Sequence, residues 1–324
     1  MYLDLLFQEI DIVKPKTIVT FGNQVSSIIL NKKISVSKNR KISYEIEINK
    51  NKYKVYPVYY PVGNGIFNID KAIEDIKWIL KNEVWKSGNM KKERIKINKI
   101  PSVIWGEKSQ KAFIAIHGNM SNKEDEVIKI LADEVVKKGY QVISFDLPEH
   151  GERKKDTKYL CKVQNCVNDL KQIMEYAKAN YTEINVWACS MGAYFSLLAY
   201  IGEKISKCIF LSPVVNMRII IENMMLWNNT TENELKEKQE IKTNFGQTLY
   251  WDYYVYVKEN PITNWDTKTY ILYGNKDNMQ DENIIKKFSN NFNCELTILE
   301  NGEHYFHTKE QLDYYRKWLS SKLD

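Results

Sequence analysis

No apolar stretch in this 324-residue chain approaches the roughly 18–20 residues needed to span a bilayer. A glycine-rich phosphate loop, a dinucleotide fingerprint and a metal-ligand cluster are also missing, so the sequence implies no cofactor and no metal ion. Cysteine is sparse. The five, at 161, 166, 189, 208 and 294, form no C-x-x-C, which argues against a disulfide or zinc framework and for free thiols in a reducing, cytoplasmic setting. Cys161 and Cys166 are five apart on an expected helix and so should not share a face. The first residues, "MYLDLLFQEIDIVK", place acidic side chains inside a short apolar run with no basic leader, unlike a signal peptide. Histidine is scarce as well: four in all, which narrows the choice of a general base. No sequence feature fixes an oligomeric state.

What is present suits a soluble globular protein, with 44% hydrophobic and 27% charged residues and room for one large domain or two modest ones. The net charge of +6 is uneven: residues 1–90 hold 14 Lys/Arg against 9 Asp/Glu. No arginine or aromatic cluster sharpens that patch, so it reads as a lysine-rich surface and nucleic acid is not an expected partner. The polar stretch 84–95, "VWKSGNMKKERI", reads as a linker between a segment 1–88 and a domain 95–324. In the domain, strand-like runs such as "KAFIAIHG", "YQVISFDLP", "EINVWACS", "SKCIFLSP", "KTYILYGNKD" and "CELTILENGEH" alternate with helical patterns. One of these, 121–139, opens with Ser121 and Glu124 at capping-box spacing. Strands apolar on both faces, separated by amphipathic helices, predict an α/β fold with a mostly parallel sheet.

In such sheets reactive groups gather at the carboxyl ends of strands. Four ends here carry chemistry: His117-Gly118-Asn119, Ser190, Gly274-Asn275-Lys276-Asp277, and Gly302-Glu303-His304. A serine hydroxyl needs a base to take its proton, and the base needs a carboxylate to fix its tautomer. Asp281 is a rival for the acid and His307 for the base. The order Ser190, Asp277, His304, with Ser190 in Ala188-Cys189-Ser190-Met191-Gly192, resembles the α/β-hydrolase superfamily of the serine esterase and lipase type over residues ~100–324. Ala188 stands where the most familiar form of the motif has glycine.

That resemblance implies an α/β-hydrolase fold, a small-molecule ester or acyl substrate, and a triad of Ser190, Asp277 and His304. It implies an oxyanion hole from the amides of Asn119 and Met191, with His117, Asp146 and His150 shaping the loops. Between "FLSP" and "KTYILYG" lie about 50 residues, 215–265, more than a crossover needs, where the family often places a lid. Met224, Trp227, Tyr250 and Trp251 within it are candidates for an apolar substrate pocket.

Residues ~7–82 differ in character. "FQEIDIVKPKTIVTFGNQVSSIILNKK" and "YKVYPVYYPVGNGIFNIDKAIEDIKWILKN" resemble the C-terminal half of a uracil-DNA glycosylase-superfamily domain. The family's water-positioning motif belongs to the half that is absent, and Tyr60 stands at the loop histidine position. The resemblance therefore implies a non-catalytic segment, whether a remnant, a truncated fusion or an interaction module; the alternatives to a hydrolase are a non-catalytic α/β-hydrolase scaffold or a DNA-associated protein using this segment.

Overall fold

The computed structural model describes residues 2–15, 17–80 and 90–323, and the chain divides into two compact units, Met1–Asn89 and Met90–Asp324. Residues 84–89 of the linker expected at 84–95 lie outside the described residues, while 92–95 already belong to a strand.

The first unit runs α1 (Tyr2–Val13), β1 (Thr17–Phe21), α2 (Gly22–Ile29), β2 (Tyr44–Ile48), β3 (Asn51–Val58) and α3 (Ile69–Ile79). β3 is central in a three-stranded sheet, parallel to β1 and antiparallel to β2. The β2–β3 turn is Asn49-Lys50, both at positive φ, as a two-residue hairpin turn that matches strand twist requires. Its apolar clusters are small, Tyr56, Val58, Ala72 and Ile79 in one, Ile10, Ile48 and Tyr53 in the other. An ion pair supplements them. The buried Asp75 carboxylate accepts from Arg40 Nε at 3.0 Å on both oxygens, and Arg40 also reaches Glu74 at 2.7 Å.

The second unit contains β4 (Lys92–Ile97), β5 (Ile100–Trp105), β6 (Lys111–Ile116), α4 (Glu126–Val136), β7 (Gln141–Phe145), α5 (Val163–Asn180), β8 (Glu183–Cys189), α6 (Met191–Ala199) and β9 (Cys208–Leu211). After these come α7 (Met217–Trp227), α8 (Glu232–Lys238), β10 (Glu240–Lys242), β11 (Thr248–Tyr250), α9 (Trp251–Glu259), β12 (Thr269–Gly274), α10 (Glu282–Asn291), β13 (Glu295–Leu299) and α11 (Lys309–Ser321). Eight strands form one sheet in the order β13-β12-β9-β8-β6-β7-β5-β4, parallel from β13 to β7 and antiparallel at β5 and β4. Alternation along β6 shows why these strands are apolar throughout: Ala112, Ile114 and Ile116 enter one core with α5 and α6, and Phe113 and Ala115 enter the other with α4 and α11.

Two local expectations are corrected. α4 starts at Glu126, capped by Asp125, because Ser121–Glu124 belong to a loop in which the Lys123 amide and ammonium both bind the buried Asp146 carboxylate. Helix α5 begins only at Val163, so Cys161 precedes it in a turn, and its Sγ comes to 3.6 Å from that of Cys166. The segment 215–265 holds α7, α8, the β10–β11 hairpin and α9.

Replacing Arg40 by alanine leaves Asp75 buried without its guanidinium. The expected loss is roughly 2–4 kcal/mol from the first unit, seen in hydrogen exchange of β1 and β3; unchanged protection there would contradict the ion pair's role.

Candidate active site

β8 must turn into α6 within one residue, and Ser190 makes that turn with φ 52° and ψ −125°, a conformation non-glycine residues seldom adopt. Three hydrogen bonds hold it: its N–H donates to Leu211 O at 3.2 Å, and its C=O accepts from Ala193 at 3.1 Å and Val214 at 3.0 Å. The turn is possible only because α6 comes against β6. A β-carbon on Gly192 would stand 2.5 Å from His117 O and 2.8 Å from Ile116 O, a clash with backbone that cannot move aside. Ala188, two residues before the serine, is fully buried between Ile116 and Phe210 in register, so its methyl fits.

The carboxyl ends of β12 and β13 meet in the same way. A β-carbon on Gly274 would lie 2.2 Å from Gly302 O, and Lys276 N–H donates to that oxygen at 2.8 Å. This contact joins the loop carrying Asp277 to the loop carrying His304. Ser190 Oγ lies 2.8 Å from His304 Nε2, and His304 Nδ1 lies 2.6 Å from Asp277 Oδ2. The Asp277 side chain is wholly buried while 18% of that of His304 is exposed. The other Asp277 oxygen accepts the amides of Met279 at 2.7 Å and Gln280 at 3.3 Å. A carboxylate fixed this way presents one oxygen to the imidazole Nδ1–H and leaves Nε2 free to take the hydroxyl proton.

The rivals are placed elsewhere. Asp281 caps α10 by accepting from Asn283 N–H, and His307 is half exposed, stacked on Tyr305 and beside Glu303. Gln280, which no motif singles out, is buried and ties the Asp277 loop to the root of the 215–265 segment. Its Oε1 accepts the amides of Val215 at 3.0 Å and Asn216 at 2.8 Å.

Met191 is the first residue of α6, where backbone N–H groups lack intrahelical partners. Asn119 follows Gly118, whose α-carbon abuts Ser190: a β-carbon there would meet that of Ser190 at 2.9 Å. Two buried histidines shape this loop. His117 Nδ1–H donates to Gly118 O at 2.7 Å, and its Nε2 accepts Leu147 N–H at 3.1 Å. Because the peptide is planar and trans, holding the Gly118 carbonyl toward His117 turns the Asn119 N–H the opposite way. His150 Nδ1–H donates to Pro148 O at 2.7 Å, and its Nε2 accepts Met120 N–H at 3.2 Å. Asp146 braces the neighbouring turn, accepting Lys123 and Glu152 amides at 3.0 and 2.9 Å.

The pocket candidates are partnered within their own segment and with α5. Trp227 is exposed and edge-on to Phe245, Tyr250 lies under Lys162, Trp251 packs against Tyr254, and Met224 packs on the main core. Trp227 is ten residues along α7 from Met217, about 15 Å from the helix start.

A family model described as alpha/beta hydrolase fold matches residues 111–245. The fold is that of the α/β hydrolases. Among solved structures, Est1E from Butyrivibrio proteoclasticus with ferulic acid bound aligns over 71% of this chain and 97% of its own at 18% identity, with a TM-score of 0.60. Alpha/beta hydrolase domain-containing protein 10 from mouse aligns over 72% and 98% at 14% identity, TM-score 0.58. The Pyrococcus furiosus esterase Pf2001 aligns over 72% and 91% at 20% identity, TM-score 0.50. No curated protein sequence matches the chain at a significant level. In this α/β-hydrolase fold the loops carrying Ser190, Asp277 and His304 all leave the carboxyl edge of the parallel strands.

Two consequences are measurable. Ser190→Gly removes the cost of positive φ and should be about 1 kcal/mol more stable than Ser190→Ala; equal stabilities would mean the turn is unstrained. Burial lowers the pKa of His117 from 6.5 to about 4, despite the Gly118 carbonyl that would favour its proton. Between those values the unfolded chain binds the extra proton and the folded chain does not, so this stability is complete above about pH 6.5. It falls as pH drops toward 4, by on the order of 3 kcal/mol. His117→Gln should flatten the pH dependence of the unfolding free energy in that window, and an unchanged slope would contradict the assignment.

Proposed function

We propose that the chain is a serine hydrolase cleaving a carboxylic ester or thioester through an acyl-enzyme. The observation that carries this reading is the unbroken line Ser190 Oγ–His304–Asp277, at 2.8 and 2.6 Å, on a serine held at positive φ. In the proposed cycle His304 Nε2 takes the proton from Ser190 as Oγ attacks the carbonyl carbon. The amides of Asn119 and Met191 receive the oxyanion. Collapse breaks the ester bond, and His304 returns the proton to the departing alcohol or thiol. Water, deprotonated by the same imidazole, then releases the acid. Asp277 holds the imidazole tautomer and stabilises the imidazolium.

The substrate is a small molecule whose apolar acyl or aryl part is taken up by the 215–265 segment acting as a lid. The ferulic acid bound to Est1E, whose chain folds similarly, supports an aromatic acyl group. The free thiols fit a reducing cytoplasm. In this reading the first unit, whose sequence resembles half a glycosylase-type domain, takes no part in the reaction.

A fluorophosphonate probe should label Ser190 in the wild-type protein and leave Ser190→Ala unlabelled, with ester turnover in that variant lower by roughly 10⁴-fold or more. Turnover that survives the substitution would sink the mechanism.

A further inference from the structure

Outside the triad, one reactive cluster links to the loop beside Ser190. Cys166 is fully buried in α5, and half-buried Cys161, in the turn before it, brings its Sγ to 3.6 Å from that of Cys166. The Cys161 N–H donates to the Glu149 carboxylate at 2.6 Å, and Glu149 is itself at φ 60°, directly before His150. His150 accepts the Met120 amide and lies 3.3 Å from Asn119 Oδ1. A contact path therefore runs from the thiol pair through residues 149–150 to 119–120.

The two sulfurs are chemically unequal. The Cys166 thiol, then His150, favour Cys161 as a thiolate and lower its pKa against the effect of burial. Burial pushes Cys166 the other way, so it keeps its proton. A thiolate with a thiol at its side is the arrangement in which oxidation ends in a disulfide.

We propose that Cys161 and Cys166 are an oxidisable dithiol, converted by hydrogen peroxide to an intramolecular disulfide that acts on the 118–120 loop through Glu149 and His150. The Cys161 thiolate attacks one peroxide oxygen and the O–O bond breaks, giving a sulfenic acid and hydroxide, which takes up a proton. Cys166 Sγ then attacks Cys161 Sγ, and its proton leaves with the displaced hydroxyl as water. Two thiols and one peroxide become one disulfide and two waters. Closing the gap from 3.6 Å to a bond of about 2.05 Å must move Cys161, because Cys166 is fixed in the helix. That motion draws on the Glu149 carboxylate, which Cys161 N–H holds, and through it on the adjoining His150, the group that holds Met120. The effect on turnover rests on the hydrolase reading above; the modification does not.

The test is peroxide treatment of the full chain, alkylation, and tryptic digestion without reductant. The expected product is peptide 159–162 joined to peptide 163–171, separated again by dithiothreitol. Ester turnover should fall by at least about tenfold, given the roughly 10²–10³ cost of losing one oxyanion donor, and return on reduction. Cys166→Ala should keep its basal turnover and lose this reversible response. Both thiols remaining alkylable, Cys161 accumulating as sulfinic acid, or either sulfur pairing with another cysteine would overturn the site. Formation of the linked peptide with unchanged turnover would overturn its action on the loop. Linked peptide in a protein without turnover before oxidation would leave the dithiol standing and count against the hydrolase reading instead.

Discussion

Ser190 stands at φ 52° as the single residue between the end of a parallel strand and the start of a helix, with the backbone of residues 116–118 packed close against it. Everything near the site follows from the closeness that this turn demands. Gly192 must lack a side chain for α6 to approach β6, and Gly118 must lack one for the 117–120 loop to approach the serine. The cost, of order 1–3 kcal/mol for such a backbone, is met by two apolar cores that clamp β6, β8 and β9 from both faces. The strain is local, and the support comes from both faces of the sheet.

The same logic governs the charges. Asp277 is wholly buried, yet it retains two backbone N–H partners and the imidazole, so its oxygens are satisfied without water. Three other buried carboxylates are treated alike: Asp146 by Lys123 and backbone amides, Asp75 by Arg40, and Asp169 by Arg153 and Tyr159. His117 and His150 are held in one tautomer by neighbouring carbonyls, which leaves each Nε2 as an acceptor for a backbone amide. The loop beside Ser190 is thus positioned by the hydrogen bonds of His117 and His150 to backbone groups.

Much of the fold was legible because a strand buried on both faces leaves an unmistakable apolar run: β6, β7, β8, β9 and β12 all fall where the sequence places strands, as does the half-buried edge strand β13. β4 was not, since as an edge strand it reads "KERIKI" and its charged residues are solvent-exposed. The start of α4 was misplaced because Ser121 and Glu124 mimic a capping box, whereas the tertiary pull of Asp146 on Lys123 keeps that stretch a loop. Ser190, Asp277 and His304 could be picked out because each lies in the loop or turn just after a strand; their meeting needed the Gly274–Gly302 contact, which no spacing reveals. Gln280 and the Cys161–Cys166 approach carry no periodic signal at all. Nor does composition say how the elements of 215–265 are turned, so Trp227 in α7 and Tyr250 at the end of β11 could be nominated from the sequence but not oriented.

The central claim is that Ser190 becomes covalently acylated. An aryl carbamate tests it directly, because a carbamoyl-serine hydrolyses slowly enough to be weighed. The account predicts release of one phenol per chain and a single carbamoyl group, located by peptide mapping on Ser190. Steady ester turnover by the same preparation with no carbamoyl group on Ser190, or with the group on another residue, would contradict it.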